Sequence, residues 1–286
     1  MTTYREITAE STGLFETCAR HTARQTTRML QAVYLCDDCT RRLVAEAFNN
    51  RPPVFHGETI QGYCGLCSVR RDVTMRQWFV CPICWNVVLA YQKSIAATTG
   101  LQRWWNEEIK PKCPNLRLDE TEPVYLSPFA RKDKTKKQAA ESLSILDFSV
   151  VRLDASKPSP LFHIEQKTGP TSISKMSKFQ LDVNDFNDIV GAMNNTGVPA
   201  YVIHVQATQE YTFPTWRAIV KGLWWADLFT MIEHKKGVKR RRGEDKDAVY
   251  FSPAAFKSVD EFPDELKRER YAELTRRLAK HPVPLL

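Results

Sequence analysis

Cysteine pairs are the densest chemistry in this chain. Six of its eight cysteines form three Cys-x-x-Cys pairs, Cys36/Cys39, Cys64/Cys67 and Cys81/Cys84, and Cys18 with His21 makes a fourth pair at that spacing. Two residues so spaced on a tight turn can aim both side chains at one ion, and tetrahedral zinc takes two such pairs. Taken in sequence order, the pairs predict two zinc sites. One is Cys18, His21, Cys36 and Cys39, with 14 residues between its pairs; the other is Cys64, Cys67, Cys81 and Cys84, with 13. Each set supplies four protein ligands and leaves no position for a reacting water, so both zinc ions are expected to be structural. Disulfides are the competing use of such cysteines. With no apolar segment following a basic start, the spacing reads as zinc in a reducing compartment instead.

A second constellation lies further on. Asp147 stands at the head of an apolar, β-branched run, and Glu165 and Lys167 sit two apart in the next. If these runs pair as a hairpin, the two-residue period of a strand puts Glu165 and Lys167 on one face. An Asp and a Glu brought together in this way can hold a hard divalent cation, Mg²⁺ with Mn²⁺ as its substitute, and the carbonyl of Gln166 could add a ligand. Such a metal polarises a phosphoryl oxygen and acidifies bound water, and the lysine could orient that water or offset charge on a phosphate. The chemistry suits in-line hydrolysis of a phosphodiester. His163 precedes Glu165 by two and reads as a neighbour, while His204 reads as a satisfied core histidine.

The elements that must position these groups divide the chain into a zinc-binding part at 1–110, a Pro-rich linker at 111–133 and an α/β part at 134–286. In the first, residues 24–34 and 40–48 read as helices. Gly62–Val88 reads as a zinc ribbon with turns at Cys64–Cys67 and Cys81–Cys84, and Trp85–Ile109 as a helix interrupted at Gly100. In the second, 134–145 reads as a helix, 146–153 and 161–167 as the hairpin, and 185–195 as a helix ended by Gly197. Val198–Gln206 reads as a buried strand, Trp216–His234 as a helix and Asp264–Lys280 as a charged terminal helix.

Asp147 followed eighteen positions later by Glu165-Gln166-Lys167 resembles the active-site signature of the PD-(D/E)XK nuclease superfamily. The resemblance covers roughly residues 135–206 and includes the order helix, hairpin, helix, buried strand. It departs from the strict pattern in having Leu146, not Pro, before Asp147. It implies an α/β (α+β) restriction-endonuclease-like core with a mixed central sheet flanked by helices, beside a small double-zinc domain. It also implies catalytic roles for Asp147, Glu165 and Lys167, with Glu141 on the preceding helix as a further acid, and Mg²⁺ on Asp147, Glu165 and Gln166. The expected activity is that of a divalent-metal-dependent DNA endonuclease. The alternative is a non-catalytic zinc protein that binds nucleic acid or serves assembly.

Charge fits a polyanionic partner, at a formal +8 and pI near 9.0. The excess is shared: residues 1–112 carry 14 Lys/Arg against 10 Asp/Glu, and 113–286 carry 27 against 23. Basic runs at Arg131–Lys137 and Lys235–Arg242, with Ser172, Ser174, Lys175, Ser177 and Lys178, could contact phosphates; the second also reads as a nuclear localisation signal or a solvated loop. Zinc could present Arg41, Arg42, Arg70, Arg71 and Arg76 to DNA, or fold a protein-interaction module. One site cuts one strand, so cutting both implies a homodimer or sequential nicking. No apolar run approaches the ~20 residues of a membrane helix, and a cytoplasmic, nucleoid-associated location is expected, or a nuclear one in a eukaryote.

Overall fold

A computed structural model describes residues 18, 28–29, 33–46, 48, 50–67, 69–120, 146–153, 160–212, 215–241 and 246–286. The chain forms two compact units. The described residues up to Thr99, with Ala207–Ile219, make one; those of Gly100–Val124, Thr135–Gln206 and Val220–Leu286 make the other.

The first unit holds β1 (Arg28–Met29), β2 (Val33–Leu35), α1 (Asp37–Glu46), β3 (Phe55–Tyr63), β4 (Arg70–Gln77) and β5 (Phe79–Val80). Helix α2 (Pro82–Trp104) begins in it. Strands β2, β4 and β3 make a three-stranded antiparallel sheet, and β1 pairs antiparallel with β5. The β3–β4 side chains are mostly solvent-facing, so backbone pairing and cross-strand contacts such as Thr59 Oγ1 to Thr74 Oγ1 (2.6 Å) hold the hairpin. Beneath it Leu35, Leu43, Phe48, Leu66, Val73, Trp78 and Val80 form a buried cluster, with Phe48 and Trp78 rings 5.0 Å apart. Residues 24–34 were expected to be helical; Arg28–Met29 and Val33–Leu35 are strands, and their sheet partners are distant in sequence. The expected turn at Cys81–Cys84 opens α2, with Pro82 at its first position, where a missing N–H costs nothing.

Helix α2 runs through Gly100 instead of breaking there. The glycine permits contact: a Cβ at Gly100 would lie 2.6 Å from Val220 Cγ2. A π-helical turn follows at Trp105–Ile109. Within the segment read as a linker, β6 (Leu116–Glu120) is a strand paired antiparallel with β7 (Phe148–Arg152), because Leu116 has a buried site to fill at the sheet edge.

Strand β7 pairs antiparallel with β8 (Pro160–Gly169), the expected hairpin. After β9 (Phe179–Asp182) comes α3 (Val183–Thr196), which buries Phe186, Ile189, Val190 and Met193 and ends at Gly197 with φ 69°. The buried strand follows as β10 (Ala200–Thr212), parallel to β8 and in register Val202 to Glu165. The run read as a helix from Trp216 is instead β11 (Thr215–Asp227), then a short α4 (Leu228–Glu233) capped by Asp227, whose Oδ1 accepts from Thr230 N at 2.8 Å. Next come β12 (Lys235–Arg240), β13 (Asp247–Phe251) and β14 (Lys257–Ser258).

The result is a mixed six-stranded sheet in the order β14-β11-β10-β8-β7-β6, a three-stranded sheet β12-β13-β9, and flanking helices. The terminal helix divides into α5 (Phe262–Lys267) and α6 (Arg270–Lys280), because Glu269 takes a left-handed φ of 49°. Phe162, Tyr201, Trp225 and Phe262 close an aromatic core, with ring centroids 5.0 to 6.2 Å apart. The helix expected at 134–145 lies outside the described residues.

Candidate functional site

Two constellations carry chemistry. In the first unit, the Sγ atoms of Cys36, Cys39, Cys64 and Cys67 all lie within 4.8 Å of one another. Tetrahedral zinc with Zn–S of about 2.3 Å needs sulfurs about 3.8 Å apart, so the cluster has the right size. The pairing is therefore not sequential: Cys36/Cys39 joins Cys64/Cys67. Pairing of β2 with β4 carries the end of β2 to the β3–β4 turn, where Gly65 N donates to Tyr34 O (2.8 Å) and Cys64 N to Val69 O (3.0 Å). Cys36 N donates to Cys64 Sγ at 3.4 Å, and Cys39 sits in the first turn of α1.

Four crowded thiols cannot all ionise without a cation. Hydrogen bonds from Cys39, Cys64 and Cys67 pull the Cys36 thiol far down, and the bond to Cys36 pushes Cys39 far up. A divalent metal removes that conflict by taking all four as thiolates. Cys18 and Cys81 are buried in the same hydrophobic cluster, and Arg51 Nη1 donates to the carbonyl of Cys18 at 3.4 Å. His21 and the Cys84 side chain lie outside the described residues. Three of the five arginines expected to face DNA form ion pairs on their own surface: Arg41 and Arg71 with Asp38 (2.6 and 3.2 Å) and Arg76 with Asp37 (3.1 Å).

In the second unit the hairpin brings the expected residues together. Asp147, exposed just ahead of β7, accepts through Oδ2 from the backbone N–H of Gln166 at 2.7 Å. Glu165 and Lys167 share a face of β8, with Lys167 Nζ 2.7 Å from Glu165 Oε1. Lys167 Nζ also donates to Asp185 Oδ2 at 2.8 Å. Burial alone would lower the Lys167 pKa, but the Glu165 and Asp185 carboxylates outweigh it and raise the value, so the lysine is an ammonium at neutral pH. Glu141 lies outside the described residues.

Lys167 and Asp185 open onto a cleft of about 560 Å³ lined also by Lys175, Lys178, Asp182 and Arg241. Lys178 Nζ stands 3.9 Å over the Tyr250 ring, and Arg241 pairs with Asp182 at 3.2 Å. The run read as a solvated loop or phosphate contact is ordered over Lys235–Arg240 as edge strand β12, with Lys235, Lys236, Lys239 and Arg240 exposed. The run at Arg131–Lys137 lies outside the described residues.

His163 is buried, hydrogen-bonded through Nδ1 to Ser149 Oγ (2.9 Å), and burial lowers its pKa. His204 lines the cleft, 2% exposed, with Nε2 donating to Thr171 O (2.9 Å), and burial keeps it neutral. Asp185 was missed as a site residue. It opens the helix expected at 185–195, where an acid is ordinarily read as a partner of the helix dipole. Its place beside Lys167 comes from the packing of α3 near β8, a tertiary contact that no local spacing signals.

No protein-family model and no curated protein matches the chain. Among solved structures it is similar to D212, a nuclease from a fusselovirus, at 14% identity and a TM-score of 0.32, covering 65% of this chain and 92% of that one. At that score the reading rests on the geometry above.

Proposed function

We propose that this chain is a divalent-metal-dependent DNA endonuclease with a PD-(D/E)XK-type site on β7 and β8 and structural zinc in its first unit. One observation carries the reading: Glu165, Lys167 and Asp185 form a continuous ion-paired set, with Asp147 tied to the peptide between Glu165 and Lys167. The residues fit a hard divalent cation. Their donors, the Asp147 and Glu165 carboxylates and the Gln166 carbonyl, are all oxygens, and the Asp185 carboxylate offsets the Lys167 ammonium beside them. Asp147 and Glu165, with the Gln166 carbonyl, would hold Mg²⁺ or Mn²⁺, which supplies Lewis-acid stabilisation of a phosphoryl oxygen and an acidified water.

The protein's own groups do the rest. The Gln166 N–H fixes the Asp147 carboxylate, and the Lys167 ammonium offers N–H donors to an incoming phosphate oxygen or to the attacking water. Lys175 and Lys178 beside the site offer further cations for neighbouring phosphates, giving sequence-independent, salt-sensitive affinity. Glu141 is a further candidate acid.

Zinc on Cys36, Cys39, Cys64 and Cys67 would fix the turn between β3 and β4. The remaining ligands, Cys18, His21, Cys81 and Cys84, would take a second zinc, an arrangement supported by the β1–β5 pairing just ahead of Cys81. Cutting both strands would use two copies or two successive nicks, in the cytoplasm or, in a eukaryote, the nucleus.

The test is cleavage of supercoiled plasmid and of single-stranded DNA with Mg²⁺ or Mn²⁺, against EDTA and against Lys167→Ala. Metal-dependent nicking lost in the variant supports the reading. Folded wild type that binds DNA yet cuts no substrate turns it toward the zinc-containing binding protein.

A further inference from the structure

The Lys167 ammonium has two carboxylate partners at nearly equal distance, Glu165 at 2.7 Å and Asp185 at 2.8 Å. They differ in what else they must do. Glu165 lies on the same strand and is the acid whose oxygens the metal would take. A carboxylate bound to a divalent cation has less negative charge to offer an ammonium, and the two cations repel across it. A lysine has a flexible four-carbon stem, so an ammonium loosened from Glu165 would swing into solvent unless something else kept it.

Asp185 comes from a separate element, the first turn of α3, where the helix dipole favours a charged carboxylate. Helix capping does not consume it: the N-cap residue is Asp182, which makes no capping bond and pairs instead with Arg241. At 42% exposure against 14% for Glu165, Asp185 is the better solvated of the two carboxylates.

Resting on the nuclease reading, we propose that Asp185 is a positioning residue that retains the Lys167 ammonium at the site when Glu165 turns to the metal. Glu165 then serves the cation and Asp185 serves the lysine, and Asp185 itself contributes no metal ligand.

The experiment follows the Lys167 ammonium by ¹H–¹⁵N NMR in the full chain, without Mg²⁺ and at saturation, in wild type, Asp185→Asn and Asp185→Glu. Mn²⁺ binding is measured alongside by EPR, with Glu165→Gln as the reference for a lost ligand. Wild type is expected to keep the ammonium signal when Mg²⁺ is added. Asp185→Asn should show it without metal and lose it at saturation, while binding Mn²⁺ within about threefold of wild type. Single-turnover cleavage by Asp185→Asn should fall by about 10², the usual scale for a group displaced by an ångström, with DNA affinity unchanged and partial recovery in Asp185→Glu.

A signal that survives Mg²⁺ in Asp185→Asn overturns the proposal. So does a loss of Mn²⁺ affinity as large as that of Glu165→Gln, which would make Asp185 a ligand. Glu165-dependent Mn²⁺ binding with no cleavage by wild type would defeat the nuclease reading alone, because the NMR comparison still decides the role of Asp185. No Mn²⁺ binding at all would defeat both.

Discussion

The two candidate sites hold their polar groups in opposite ways. The thiol cluster crowds four like groups around one point, with the Arg71 guanidinium beside it but shared with Asp38, so their proton affinities conflict until a metal arrives. The acid cluster carries its own counter-ion, because Lys167 lies between Glu165 and Asp185. A cage that needs its metal couples binding to folding; a set already partly neutral can be in place beforehand and recruit its metal for chemistry. Metal removal should thus unfold one region and merely silence the other.

The largest effect expected is therefore on the first unit. Cys64→Ser should lower zinc content by one ion per chain and expose the amides of β3 and β4 to hydrogen exchange, with a coupled loss on the order of 10 kcal/mol. Metal analysis and exchange mass spectrometry read both. A variant that kept its protected β3–β4 amides without that zinc would break the comparison at its stronger end.

Next comes the acid cluster. Glu165→Gln should leave zinc content and melting nearly unchanged, since Lys167 retains Asp185, while cleavage falls about 10³-fold or more through loss of metal-assisted chemistry. Calorimetry together with plasmid nicking separates the outcomes. Unfolding of the second unit in this variant would mean that the acid cluster, like the thiols, is structural.

What could be read from the sequence follows the range of each interaction. The β7–β8 hairpin, α3 with its Gly197 stop and the shared face of Glu165 and Lys167 are set by local periodicity, and the structure has them. The four Cys-x-x-Cys and Cys-x-x-His spacings were equally plain, but which pairs share an ion was not. Cys36/Cys39 meets Cys64/Cys67 because β2 adds to β4, a pairing with no local signature.

Strand β11 was misread for a related reason. An apolar stretch such as Ala218 to Ala226 fits either period, and what decides is its place in the sheet, where Trp225 Nε1 donates to Ser258 O at 3.0 Å. Gly222, packed where a Cβ would lie 2.6 Å from the Trp224 ring, was a usable cue, since glycine costs a helix about 1 kcal/mol. Asp185 needed tertiary proximity to Lys167 and could not be found from spacing.

A smaller perturbation sharpens the independence of the second unit. Gly100→Ala forces a methyl to within 2.6 Å of Val220 Cγ2, and overpacking of this kind costs about 1–3 kcal/mol. Gly197→Ala meets no atom within 4 Å but must adopt a φ of 69°, at a cost of about 1 kcal/mol. Denaturant unfolding should rank Gly100→Ala as the more destabilised, with zinc content unchanged in both. Zinc loss in either variant would show that the second unit supports the zinc cage.

The smallest effect separates the regions by acid. Burial lowers the His204 pKa below the usual value near 6.5, so on acidification the unfolded chain takes up its proton before the folded one does. The second unit should thus lose stability as pH falls through 6.5 toward the lower folded value, and His204→Asn should flatten that slope. The first unit should also weaken in acid, but by proton competition for the thiolates that would hold zinc, which more free zinc would oppose. Raising zinc should move the acid midpoint of the β3–β4 amides and leave that of β8 and β10 where it was. If both midpoints moved together, the two units would unfold as one and the metal-dependent and metal-independent regions would share a single stability.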